Sequence, residues 1–180
     1  MSLDAYAQSA GLFVRGLTNL KALLVHAEPH TDASGGGEAV LLGARLAAAA
    51  SAAPADLHAY TLAEQVHWAA EGARLAITHL LDAPSVPLAS DEKSFADLHR
   101  RIDATIAYLR EVAASDLEAG LDREIVIERP RGSIRCSGGQ FLVAYAIPHF
   151  YYHVTTAYGI LRNEGVQLTM GDFLGDWGTS

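Results

Sequence analysis

Two histidines four residues apart, His149 and His153, have the spacing best suited to shared chemistry. Residues at positions i and i+4 of a helix lie on one face, about 6 Å apart, so both imidazoles can reach one ion. The predicted helix also places apolar side chains such as Tyr145 on that face, which predicts a half-buried pair. Pro148 directly precedes the pair and has no N–H, which loosens the helical hydrogen bonding at this point. The pattern therefore predicts a metal-binding pair of histidines.

A metal site with an open catalytic position needs a third protein ligand, and His67 is the best donor. It lies in the middle of a predicted helix, in line with the small residues Ala63 and Ala70, which leave room for a ligand. Three imidazoles with water in the fourth position suit Zn²⁺, Ni²⁺, Fe²⁺ or Cu²⁺ better than Mg²⁺ or Ca²⁺. We therefore predict a divalent transition metal bound by His67, His149 and His153.

The alternative interpretation is a set of core or boundary histidines without a metal. Their hydrogen bonds would then go to backbone atoms or to the nearby side chains of Tyr151, Tyr152 or Thr155. A second pair, His26 and His30, has the same spacing but straddles Pro29. We interpret that pair as a helix-end and surface feature, because cationic side chains favour a helix C-terminus.

Four long helices are expected to position these histidines. Apolar residues recur in steps of three and four over residues 3–28, and a shorter helical segment follows at about 38–47. Capping-box patterns begin the second, third and fourth long helices, at Thr61–Glu64, Ser94–Asp97 and Ser137–Gln140. The fourth helix is expected to run to about residue 162, with a kink at Pro148. Part of the segment 165–180 is expected to dock on the bundle.

A change of period between the third and fourth long helices predicts a β-hairpin. Residues 124–128 and 133–136 alternate or carry β-branched side chains, and they flank the turn-forming segment 129–132. The predicted fold class is therefore all-α: a four-helix bundle with a small β-hairpin between its third and fourth long helices. The length of 180 residues suits one domain, which we expect to span residues 1–180.

Composition excludes several classes of protein. The formal net charge is −8 and no cluster of Lys and Arg is present, so nucleic-acid binding is not expected. No apolar run approaches the ~18 residues that span a bilayer, so no membrane partner is expected. The single cysteine, Cys136, excludes an intrachain disulfide, and the first residues do not resemble a signal peptide. We expect a cytoplasmic protein.

Several segments resemble the DinB-like (DinB/YfiT) superfamily, specifically an uncharacterised bacterial branch whose domain has no known function. The segments that carry the resemblance are Phe13–Leu20, Leu42–Ala47, Leu62–Val66, His153–Val166 and Asp172–Gly175. The resemblance covers nearly the whole chain and implies a four-helix bundle that is often a homodimer. In better-known relatives it implies a divalent metal held by one histidine of the second helix and a His-x-x-x-His of the last. Carried over, that pattern falls on His67, His149 and His153.

Two functions are consistent with these observations. The first is a divalent-metal-dependent enzyme of the thiol transferase, isomerase or hydrolase type, acting on a small molecule or a thiol. In that case the ion would lower the pKa of a bound water or thiol. The second is a non-catalytic dimeric bundle that binds a small ligand and has no functional metal.

Overall fold

The structure is a computed structural model that describes residues 4–33, 37–46, 60–84, 89–128 and 132–176. Four of its helices are long, and short helices and one hairpin connect or flank them. In chain order the helices are α1 (Ala5–Gln8), α2 (Ala10–Ala27), α3 (His30–Ala33), α4 (Gly37–Gly43), α5 (Leu62–Leu81), α6 (Phe95–Arg110), α7 (Ala114–Asp122), α8 (Gly138–Phe141), α9 (Ile147–Asn163) and α10 (Met170–Leu174).

The four long helices α2, α5, α6 and α9 form a bundle. Helix α5 packs on α9 and α6, and α2 packs on the same two helices from the other side. Apolar side chains fill the space between them; Phe13 and Phe150, for example, meet edge to face with ring centroids 5.1 Å apart. The predicted all-α bundle is confirmed. Among the described residues, no helix is both long and apolar enough to cross a membrane.

The predicted hairpin is present between α7 and α8. Strands β1 (Glu124–Ile127) and β2 (Ile134–Ser137) pair antiparallel, with Ile125 opposite Cys136. Helix α7, which precedes the hairpin, was not predicted, because its nine residues bury only Leu117 and Gly120. A methyl group at Gly138 would overlap the carbonyl oxygen of Gly120, so this close approach of α7 and α8 requires glycine.

The first predicted helix, residues 3–28, is two helices in the structure. Its chain leaves helical geometry at Ser9 (φ −129°, ψ −93°), and the buried Ser9 hydroxyl donates to the carbonyl of Ala5. This local hydrogen bond competes with the helical ladder, which explains the break. The segment predicted as a helix at about 38–47 is helical over Gly37–Gly43. The remainder of the alanine-rich connection, residues 47–59, lies outside the described residues.

The fourth long helix contains a π-helical turn where a kink was predicted. Its capping box at Ser137 and Gln140 is formed, and α8 continues through the π-helical turn Leu142–Ala146 into α9. Pro148 lies in the first turn of α9 and has no N–H to donate. The wider π-helical turn before it accommodates the hydrogen bond that Pro148 cannot make, so the helix continues. Such π-bulges are frequent near functional sites.

The segment after α9 docks on the bundle, as predicted. Helix α10 packs on α2, where the side-chain amide of Asn19 donates to the carbonyls of Phe173 (3.2 Å) and Leu174 (2.7 Å). Arg15 donates to the Leu174 carbonyl as well, at 3.1 Å.

Candidate functional site

Helix α5 supplies one wall of the candidate site. It begins with a complete capping box, in which Thr61 and Glu64 satisfy each other's backbone N–H groups. Gln65 and Gly72 are seven residues apart, so they lie on one face, and both contact histidines of α9. Gly72 allows the helices to approach closely, since a methyl group there would lie 3.0 Å from Nδ1 of His149.

The structure brings His149 and His153 together in the bundle. Their Nε2 atoms are 3.4 Å apart, and their rings meet edge to face with centroids separated by 4.6 Å. The Nδ1 atom of His153 lies 2.7 Å from Oε1 of Gln65, and both side chains are almost fully buried, at 3% and 2% exposed. An amide oxygen only accepts, so His153 carries its proton on Nδ1 and presents the lone pair of Nε2 to His149.

The hydrogen bond between Gln65 and His153 also fixes which ring donates in the next hydrogen bond, between His153 and His149. With the lone pair of His153 Nε2 facing it, His149 donates from its own Nε2. The Nδ1 atom of His149 is then the unprotonated nitrogen, on the side of the ring that faces Gly72. The three side chains thus form a directed chain of hydrogen bonds across the interface of α5 and α9, in which His149 donates to His153 and His153 donates to Gln65.

A small cavity of about 120 Å³ adjoins His149. Its lining is mostly apolar and includes Gly72, Ala76, Phe141 and Tyr145. Tyr145 stacks on His149 with centroids 5.4 Å apart, and Phe141 stacks on Tyr145 at 5.7 Å. Because the π-helical turn lies directly between Phe141 and His149, it sets how these rings line up along the helix.

Other aromatic side chains surround His153. Tyr152 meets it edge to face at 5.1 Å, and Tyr60 lies 6.0 Å away, close to Trp68.

Burial keeps both histidines neutral at neutral pH. It lowers the pKa of His153 to about 4, and the neighbouring His149 acts in the same direction. Burial also lowers the pKa of His149. A neutral imidazole is the form that can accept a proton or bind a metal ion.

His67 lies on another face of α5. It is two residues from Gln65, which turns its side chain about 200° around the helix axis. Its Nδ1 atom lies 3.3 Å from Oε1 of Glu92, which also accepts from Arg101. Burial and the charge of Arg101 lower the pKa of His67.

The geometry matches only part of the predicted three-histidine metal site. Within the ranges that the structure describes, no group of three His, Cys, Asp or Glu side chains could hold a metal ion. Two nitrogens on a tetrahedral zinc ion lie about 3.3 Å apart, because each Zn–N bond measures about 2.0–2.1 Å. The Nε2 atoms of His149 and His153 have nearly this separation. His149 and His153 are thus spaced as two ligands of such a site would be, whereas the Nδ1 atom of His67 contacts Glu92.

Gln65 was not predicted as a site residue, and Tyr145 was not predicted as the stacking partner of His149. The signal for Gln65 was present: a polar residue seven positions before Gly72, inside a helix with an otherwise apolar and small face. The alternative partners proposed for histidines without a metal, Tyr151, Tyr152 and Thr155, make none of the described side-chain hydrogen bonds to His153. Gln65 and His149 make them instead.

Comparison with known proteins identifies the family. The family model of a domain of unknown function, DUF1993, matches residues 5–174. The chain belongs to this family. It is also similar to the crystal structure of a DinB family member protein from Shewanella denitrificans, with 29% sequence identity and a TM-score of 0.82. That match covers 97% of this chain and 94% of the other. No curated protein matches.

The DUF1993 chain therefore has the DinB-like fold that the sequence resemblance implied. Membership of DUF1993 assigns no activity to the chain, and the similar protein is described only as a DinB family member.

Proposed function

We propose that this DUF1993 protein binds a small molecule in the cavity beside His149 and exchanges a proton with it through that histidine. The observation that carries the proposal is the directed chain from Gln65 through His153 to His149, which ends at the cavity. A base oriented by a second group, which is itself held by a third, is the general arrangement of an activated proton acceptor.

Each member of the chain has a defined role in the proposal. Gln65 accepts from Nδ1 of His153 and holds that ring with its Nε2 lone pair towards His149. His149 donates from Nε2 and keeps Nδ1 unprotonated. A ligand X–H then transfers its proton to Nδ1, leaving X⁻ and an imidazolium whose Nε2–H bond to His153 becomes charge-assisted and therefore stronger. The lowered pKa of His149 keeps the base form available at neutral pH.

A second candidate function uses a divalent ion such as Zn²⁺, Ni²⁺ or Fe²⁺. The observation that favours it is the 3.4 Å separation of the two Nε2 atoms. His149 and His153 would hold the ion, and Gln65 would orient His153 as an outer-shell partner. A bound ion would act as a Lewis acid on a ligand, including a thiol. His67 is not part of this proposal, since its Nδ1 atom contacts Glu92, which in turn pairs with Arg101.

The volume of the cavity beside His149 indicates which small molecules can be used to test the proposal. A volume of about 120 Å³ is close to that of a cavity that admits benzene, roughly 150 Å³. Phenol and benzene form a matched pair of similar shape, of which only phenol can donate a hydrogen bond to Nδ1 of His149, the contact that must precede proton transfer. We expect phenol to bind more tightly and to shift the ¹⁵N resonance of His149 Nδ1 in NMR spectra of labelled protein. His149→Gln should remove the preference for phenol, and His67→Gln should leave it unchanged.

The same NMR spectra, together with the affinities and elemental analysis, distinguish proton exchange at His149 from metal binding by His149 and His153. Metal-free protein should show a proton on Nδ1 of His153 and on Nε2 of His149. Equal affinity for phenol and benzene, or a preference that survives His149→Gln, would refute the proton-transfer proposal. Stoichiometric Zn²⁺ or Ni²⁺ in elemental analysis, lost in both the His149 and His153 glutamine variants, would favour the metal candidate. The homodimer implied by the family stays a prediction, which light scattering on the purified protein would test.

A further inference from the structure

A larger cavity lies on the other side of α5, between this helix and α6. Its volume is about 460 Å³, within the range of roughly 300–1,000 Å³ typical of small-molecule sites. Polar side chains line it from both helices and from the segment before α6, among them Arg74, Glu92, Arg101 and Tyr108. None of these residues belongs to the His149 site.

Two buried carboxylates pair with arginines that line this cavity. The side chains of Glu71 and Glu92 are only 4% and 5% exposed, and each is paired with an arginine. Arg74 donates two hydrogen bonds to Glu71, of 2.9 and 2.7 Å, and Arg101 donates to Glu92. Buried ion pairs generally add little stability over apolar side chains of the same size, because both charges lose their hydration. Stability of the bundle therefore does not explain this cluster.

The charges around the cavity indicate the class of ligand. Three arginines (Arg74, Arg100, Arg101) and three carboxylates (Asp91, Glu92, Asp97) line it, so the wall carries both signs and no net charge. A polyanion such as a nucleotide would meet three carboxylates, and a simple cation would meet three guanidiniums. A ligand that carries one charge of each sign matches this wall best.

Two groups on the wall retain capacity for a ligand. Asp91 is exposed and makes no hydrogen bond to the part of the chain that the structure describes. Arg101 donates from Nε to Glu92 and from Nη2 to the carbonyl of Ala89, so within the described residues Nη1 is available. The hydroxyl of the buried Thr105 lies on the same wall.

We propose that this cavity binds a small zwitterion of the amino-acid class. Asp91 and Glu92 receive its ammonium group, and Arg101 binds its carboxylate together with the hydroxyl of Thr105. Guanidinium–carboxylate contacts are among the stronger charge-assisted hydrogen bonds, and here they would form in a partly desolvated wall.

The test is calorimetric titration of the full chain with the free L-amino acids. For the tightest binder, two analogues follow: the amine without the carboxylate and the acid without the amine. We expect each analogue to bind at least about tenfold more weakly, a difference of about 1.4 kcal/mol. Asp91→Asn should weaken the amino acid similarly. An absence of binding by every amino acid at about 10 mM, or equal affinity for either analogue, would overturn the proposal.

A matched pair of variants locates the binding. Ala104 lines the cavity, whereas Ala107 is exposed on the same helix and does not. Neither takes part in an ion pair, so both phenylalanine variants should fold. Ala104→Phe should abolish binding by filling the cavity, and Ala107→Phe should retain it; unchanged binding by Ala104→Phe would refute this location. His149→Gln should not alter amino-acid binding, so this result is independent of the phenol experiment.

Discussion

Acidification from pH 7.5 to pH 5 should destabilise the protein through His153. This side chain is buried and neutral in the folded chain, where burial and then His149 lower its pKa to about 4. In the unfolded chain the pKa returns to its ordinary value of 6.5. Between these two values the unfolded state binds a proton that the folded state does not, so the free energy of unfolding falls as the pH falls.

The size of the effect follows from these two values. Linkage gives a loss of about 2 kcal/mol at pH 5 relative to pH 7.5, and about 3 kcal/mol once the pH is below 4. His149 and His67, whose pKa values burial also lowers, contribute in the same direction. Hydrogen bonds lower the pKa of the Asp97 and Asp172 carboxyls, but these groups titrate below pH 5 and leave this window unaffected.

The assay is urea unfolding followed by circular dichroism at pH 7.5, 6 and 5. His153→Gln lowers stability at every pH, so the decisive quantity is the change in the free energy of unfolding between pH 7.5 and 5. That change should be about 2 kcal/mol smaller in His153→Gln than in the natural sequence. His26→Gln, at an exposed histidine, is the matched control and should keep the full change. Equal pH dependence in His153→Gln and the natural sequence would refute the reasoning.

Three further predictions concern the parts that hold the site. Gln65→Leu should lower the free energy of unfolding by about 1–3 kcal/mol in urea titrations, since it leaves a buried imidazole N–H without its acceptor; unchanged stability would contradict this hydrogen bond. Gly16→Ala should cost about 1–3 kcal/mol because its methyl group overlaps the Phe150 ring. Gly43→Ala, with open space around it, is the control and should show no such loss. Thr61→Ala should cost about 1 kcal/mol, measured as a lower urea midpoint, by removing the cap of α5.

The helices could be predicted from sequence because local signals specify their ends. The capping boxes at Thr61 and Ser137 are both formed, and the Ser94 side chain caps α6. The hairpin was predictable for the same reason, since its two strands are close together in sequence. The break at Ser9 and the π-helical turn before Pro148 were not predicted. The break depends on a side-chain hydrogen bond from Ser9 to the Ala5 carbonyl, and the turn depends on which backbone carbonyl each N–H pairs with.

The candidate site could be predicted only in part, and the reason lies in α5. The pair on α9 follows from spacing within one helix, so His149 and His153 were found together. Pairing a residue of α5 with them requires knowing which face of α5 meets α9. Both faces are buried, one against α9 and the other against α6, so periodicity identifies the residues as interior without assigning them a neighbour. His67 and Gln65 satisfy the pattern equally well, and the three-dimensional packing selects Gln65.

The same helix thus carries polar side chains on two buried faces, which has an energetic consequence. Gln65 faces α9, whereas His67 and Glu71 pair with Glu92 and Arg74, which line the charged cavity, and all three are nearly inaccessible to water. Burying polar groups is costly unless each finds a partner, and here each has one: His153, Glu92 and Arg74 respectively. Apolar side chains would fill both interfaces without that requirement. Helix α5 satisfies this requirement on both of its buried faces. The two ligand sites proposed above explain these polar faces better than the stability of the fold does.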